Sequence, residues 1–108
     1  MIIAQVEPGI CGFISLIRVS KADRRSIKIN IESDCEHIKA LADQLQTLGM
    51  RDVLKTPINK NPVYEAAGSC HLHASCAVPC GVIKASEIAL GLALVKEVKI
   101  NFQDDGKA

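Results

Sequence analysis

Aromatic residues are nearly missing from this sequence: two Phe, one Tyr and no Trp in 108 residues. Without them there is no stacking platform of the kind on which single-stranded nucleic acids rest. Surplus charge is missing too, since 13 Lys and Arg stand against 12 Asp and Glu for a formal net charge of +1. No basic block occurs, so a phosphate-tracking surface is not expected. No hydrophobic run reaches the length that spans a bilayer. Met1-Ile2-Ile3-Ala4 runs straight into Gln5 and Glu7, without the basic stretch and apolar core of a secretion signal. A cytoplasmic protein is therefore expected, with neither nucleic acid nor membrane as partner. There is no nucleophile elbow, phosphate-cradling glycine loop or pair of carboxylates, so no enzyme class is indicated and a non-enzymatic role is favoured.

What the chain does have is aliphatic bulk. Hydrophobic residues make up 48% of it, which excludes a disordered chain, and the core must be built from Ile, Leu, Val and Ala. A chain of this size buries roughly 60–70% of its unfolded surface, enough for one core. One domain over residues 1–108 is expected, ending in a polar, frayed tail at 104–108.

Residues 2–6 read as an edge strand, broken by the Pro8-Gly9 turn. Residues 13–19 and 26–32 read as a hairpin around a polar loop. In the second arm Ile27, Ile29 and Ile31 alternate with Lys28, Asn30 and Glu32. Ser33 and Glu36 fit a capping box at the start of a helix over about residues 34–48, with Gly49 as its stop. Asn61 and Pro62 fit the cap and first residue of a short helix that ends at Gly68. From about Val78 a long helix follows, with Val82, Ala85, Ile88, Ala89 and Leu92 on one face and its close at residues 93–96. Val98, Ile100 and Phe102 alternate with Lys99, Asn101 and Gln103 and predict a last strand. The expected fold is α+β: a small antiparallel sheet, made of the hairpin and the C-terminal strand, covered on one face by two main helices.

Five cysteines are the chain's chemical signal. In a cytoplasmic protein, clustered thiols point to metal or redox chemistry before disulfides, and an odd count agrees. Cys70, Cys76 and Cys80 fall in one stretch with His71 and His73, while Cys11 and Cys35 each stand where an element begins. Soft thiolates suit zinc, copper(I) and iron–sulfur clusters. Cys76 and Cys80 have the spacing of a zinc-binding pair, and at i,i+4 on a helix they share a face. Cys35, in a first helical turn, meets unpaired N–H groups and the positive end of the helix dipole, which favour a thiolate.

Cys11-Gly12, a hairpin, Cys35 before a helix and a last cysteine before a long helix together resemble the U-type iron–sulfur cluster scaffold proteins. Leu72-His73-Ala74-Ser75-Cys76 is similar to the His-then-Cys context that opens their last helix. Ala74-Ser75-Cys76-Ala77-Val78 also resembles the site of a small family marked by Thr-Ser-Cys-Pro-Asp, whose Pro and Asp are absent here. Gly-Cys-Gly, common at the second cysteine of both, reads Asp34-Cys35-Glu36. The likeness is one of topology and spacing over residues 11–90. The Cys-Gly-Phe start is similar to that of small uncharacterised proteins of anaerobic bacteria and archaea.

The resemblance implies Cys11, Cys35 and Cys76 as ligands, with Cys80 or His73 as the fourth, holding an iron–sulfur cluster or zinc in a scaffold-like accessory protein. A protein that receives the metal or cluster, and a second copy of the chain, are the partners in keeping with it. Two other readings stand beside this one. One is a thiol redox protein using Cys35 or Cys80. The other is a non-catalytic interaction domain whose cysteines pack as small hydrophobes. His37 is expected on the solvated side of its helix, His71 at the surface, and Cys70 packed beside the short helix.

Overall fold

Alternating β-branched and polar residues build a sheet with one wet and one dry face. In a computed structural model, which describes residues 1–107, four strands form: β1 (Ile2–Val6), β2 (Ser15–Asp23), β3 (Ser26–Glu32) and β4 (Thr47–Gly49). They pair antiparallel in the order β1-β2-β3-β4, each beside its neighbour in sequence. Ser15, Ile17 and Val19 of β2 and Ile27, Ile29 and Ile31 of β3 are buried on one face, and Ile2, Ala4 and Val6 of β1 continue that row half-buried. The other face is open to water and carries Arg18, ion-paired to Glu32 at 3.0 Å.

Two-residue turn chemistry sets the β2–β3 hairpin. The Arg25 N–H donates to Asp23 Oδ1 at 2.8 Å, and that bond, helped by Ser26, holds the Asp23 carboxyl below its ordinary pKa.

The dry face is covered by helices. α1 (Glu36–Gln44) packs on β3, and α2 (Met50–Val53) is a single turn after β4. A 3-10 turn (Ile58–Lys60) leads to α3 (Pro62–Ser69), and α4 (Val78–Ala89) lies across β1 and β2. α3 touches both α1 and α4 and closes the layer above them. The architecture is the expected α+β sandwich of sheet and helices. One core runs from Ile17 and Val19 through Ile38, Leu41, Val63 and Val82 to Leu90.

Several boundaries differ from the sequence pattern, and the expected strand at 13–19 runs instead from Ser15 to Asp23, taking in most of the expected polar loop. The first helix starts at Glu36 and stops at Gln44, and Thr47-Leu48-Gly49 crosses to pair with Ser26, Ile27 and Lys28. Leu45 and Leu48 keep the helical apolar spacing and are buried, but the unpaired edge of β3 takes the backbone hydrogen bonds that a longer helix would have used. The expected capping box is not formed: Cys35 is the N-cap, and Ser33 Oγ accepts from the Cys35 N–H at 3.2 Å.

The last helix ends earlier than expected. The Gly91 N–H donates to the Ile88 carbonyl and the Leu92 N–H to the Glu87 carbonyl, with Gly91 at φ 77°. This is the glycine-closed helix end that satisfies two orphan carbonyls.

The expected C-terminal strand is not in the sheet. Residues 98–102 have no ladder partner, and every described residue from Gly91 onward is exposed. Alternation specifies two faces but not the edge to which a strand binds. Of the expected frayed tail, Asp104 and Asp105 accept from the N–H groups of Gly106 and Lys107. Ala108 lies outside the described residues.

Candidate functional site

Strand register gathers the sequence's chemical residues at one end of the sheet. Val6 pairs with Ser15 and Leu16 with Glu32, so β1 ends, β2 begins and β3 ends at a common rim. Two connections leave this rim. Residues 7–14 carry Cys11, exposed in a turn where the Gly12 N–H donates to the Gly9 carbonyl and both glycines have positive φ. Residues 33–35 carry Cys35 into α1.

α3 returns to the same end. His37, in the first turn of α1, places Nδ1 3.0 Å from the carbonyl oxygen of Cys70, the C-cap of α3. α4 starts there as well. A Cβ at Gly81 would stand 2.9 Å from Val6 Cγ2 and 3.2 Å from Ile17 Cδ1, so only glycine lets the first turns of α4 lie this close to the rim.

Cys11, Cys35, Cys76, Cys80 and His73 therefore share one rim, as do Cys70 and His37. Their surroundings differ. Cys70 is 6% exposed and belongs to the core. Cys35 and Cys76 are half-buried and pack against the core, Cys80 is half-buried in the first turn of α4, and Cys11 faces water. The Cys76 N–H donates to the His73 carbonyl, which fixes the turn between the two. Tyr64 of α3 feels Cys80: burial raises its phenol pKa first, and negative charge on Cys80 raises it further.

Two residues at the rim were not marked by the sequence. His37 is exposed, as expected of the solvated side of its helix, and its ring is also anchored by its bond to Cys70. A carbonyl oxygen only accepts, so Nδ1 carries the proton in this bond and Nε2 is the nitrogen left for another partner. Metal-binding imidazoles are oriented by this same kind of bond. The His37 and His73 ring centroids are 6.4 Å apart.

The second is Ser15. It is 0% exposed, and its hydroxyl has no hydrogen-bond partner among the described residues. Ser86, as fully buried, donates to the Val82 carbonyl at 2.7 Å. Nothing in the run Phe13-Ile14-Ser15-Leu16 shows that its serine will face inward without a partner.

The two helix starts at the rim are also bare. Neither Cys35 nor Ala77, the N-caps of α1 and α4, makes a side-chain capping bond. α3 ends with the His71 N–H on the Gly68 carbonyl and the Leu72 N–H on the Ala67 carbonyl, with His71 at φ 59° where glycine is usual. That conformation costs a non-glycine residue about 1 kcal/mol.

The donors share a rim but are not assembled. Among the described residues no three His, Cys, Asp or Glu side chains are grouped as a metal ion requires. An open groove of about 730 Å³ lined by Arg24, Arg25, Gly49, Met50 and Arg51 lies at the other end of the sheet.

A family model matches residues 2–102, covering the sheet, all four helices and the rim. The chain belongs to a family of unknown function, DUF6951. That family spans every rim cysteine and both rim histidines, and its description assigns them no chemistry. No curated protein and no solved structure matches the chain. No helix among the described residues is long and apolar enough to cross a membrane.

Proposed function

We propose that the rim binds a soft transition metal or a small iron–sulfur cluster, and that the chain is a cytoplasmic accessory protein for that metal or cluster. One observation carries this reading: the starts of α1 and α4 and the loop after β1 leave the same end of the sheet, and they carry Cys11, Cys35, Cys76, Cys80, His37 and His73. The donor types fit soft ions, since thiolate and neutral imidazole suit zinc and iron–sulfur centres.

Cys35, the N-cap of α1, Cys80, in the first turn of α4, and Cys76, two residues before that helix, are the ligands nearest the helix starts. His73 completes the set, or Cys11 does once its loop draws in; Gly9 and Gly12 give that loop its turn. His37, fixed through Nδ1, is a further donor on the same rim. The ungathered thiols make ligation the event that closes the rim, because metal binding and local ordering share one free energy. The orphan Ser15 hydroxyl supports the reading as a donor held ready beneath the bare end of α4. A metal or cluster would bind there as cargo, to be passed to a protein partner.

Cobalt(II) is the first probe, because its thiolate complexes absorb in the near ultraviolet and visible. The intact chain, reduced and kept anaerobic, should bind one Co²⁺ with thiolate charge-transfer bands. Cys35→Ser, Cys76→Ser and Cys80→Ser should each abolish or strongly weaken them, Cys11→Ser or His73→Ala should shift them, and Cys70→Ser should leave them. Reconstitution with Fe²⁺ and sulfide should then show whether a cluster forms. A colourless protein in both titrations overturns the proposal, as do bands that survive both Cys35→Ser and Cys76→Ser.

A further inference from the structure

The sheet is unfinished on one side, and the chain carries a spare strand. β1 is an edge strand, so one side of its backbone has no ladder among the described residues. Its inward row, Ile2, Ala4 and Val6, is only half-buried, whereas Ile17 and Val19 beside it are fully buried. α4, which lies over β1, leaves Ile83 and Ile88 half-exposed, one on either side of its buried face.

The segment after α4 is the complement of that gap. Residues 98–102 match β1 in length at five residues, and they carry the same alternation. Val98, Ile100 and Phe102 form one row, 55%, 72% and 91% exposed, and Lys99 and Asn101 form the other. Leu94 and Val95 just before them are also bare. Monomeric proteins rarely leave so continuous an apolar segment in water.

We infer that residues 98–102 add as a strand to the open edge of β1 in a second copy of the chain, and that the two copies exchange these arms reciprocally. Val98, Ile100 and Phe102 then extend the row of Ile2, Ala4 and Val6 over the flank of α4. Lys99 and Asn101 join the wet face of the sheet. The occupant is another copy because the arm lies off its own body: every described residue from Gly91 onward is exposed, and residues 98–102 pair with no strand of their own sheet. A two-fold exchange fills both open edges at once and leaves no arm free, which closes the assembly at two. Five apolar side chains from each arm bring on the order of 1,000 Å² into contact, about what a specific interface needs. Small Ala4 lies opposite Ile100 whichever way the added strand runs.

The mass of the intact chain in solution is the test, measured by light scattering at tens of micromolar with a phosphine reductant, so that no disulfide can link copies. The result expected is twice the 11.6 kDa of the chain. Ile100→Asp with Phe102→Asp, both in the exposed arm, should return it to a single chain without loss of fold by circular dichroism. Ile58→Asp, an exposed site on the 3-10 turn, should leave the dimer intact. In a mixture of ¹⁵N-labelled and ¹³C-labelled chains, nuclear Overhauser contacts between Ile100 of one label and Ala4 of the other should appear. A monomer overturns the inference, whether its arm is free or docked on its own β1. So does a dimer that the double substitution leaves unchanged. Neither outcome depends on whether the rim binds metal.

Discussion

The two ends of the molecule solve the same problem in opposite ways. At the end away from the rim, α2 stops and α3 starts, and the exposed backbone groups meet in Asn61, which is 3% exposed. Its Nδ2 is shared among the carbonyls of Asp52, Val53 and Lys55 at 3.1, 3.1 and 3.2 Å, and its Oδ1 accepts from the Val63 N–H at 2.9 Å. One side chain thus satisfies two helix ends. At the rim, α1 and α4 begin with no side-chain cap, Ser15 is buried without a partner among the described residues, and the thiols are not gathered into a group. The first end is complete by itself and holds the fold together. The second keeps unspent bonding capacity, and a bound ligand is what would use it.

That contrast is sharpest in stability. Asn61→Ala removes the cap and three bonds to carbonyls, of which Asp52 alone keeps a backbone donor, and a loss of about 2–4 kcal/mol is expected in urea unfolding. A loss under ~1 kcal/mol would mean that this end is not the anchor it resembles. Ser15→Ala has the opposite sign. Deleting a buried hydroxyl that has no partner should stabilise the metal-free chain by about 1 kcal/mol. Destabilisation would show that the hydroxyl is already satisfied, and the difference between the ends would narrow.

The smallest effect is spectroscopic. Tyr64 is the chain's one tyrosine, and there is no Trp, so alkaline absorbance reports it alone. Its pKa is raised by burial and then by Cys80. The stabilisation tied to its protonated form is complete below the ordinary tyrosine value of about 10 and fades as pH climbs through the raised one. Cys80→Ser should move the titration part of the way down, leaving the larger contribution of burial in place. An unmoved midpoint would separate Cys80 from α3 and weaken its place in the rim.

Much of the scaffold was legible because its causes are local. The β3 alternation, the Asn61-Pro62 helix start and the glycine turns each state their structure within a few residues. β4 was not legible: Leu45 and Leu48 fit a helix, and only the vacant edge of β3 decides for a strand. The arm at residues 98–102 shows the converse, a strand pattern for which the monomer offers no filled edge. At the rim, residue type and element ends pointed to Cys11, Cys35, Cys76, Cys80 and His73. The exposure of His37 was legible but its anchoring was not, because the partner carbonyl is 33 residues away; Ser15 escaped notice because its signal is a missing bond.

The sequential order of the strands has a consequence for synthesis. Everything needed for the sheet has left the ribosome once Gly49 emerges, and neighbour-to-neighbour pairing is fast. The cover for Ile17 and Val19 arrives only with α4, some forty residues later, which at ~5–20 residues per second is a wait of seconds. During that interval a nascent chain displays a greasy, half-roofed sheet, and its last two thiols are the final pieces delivered.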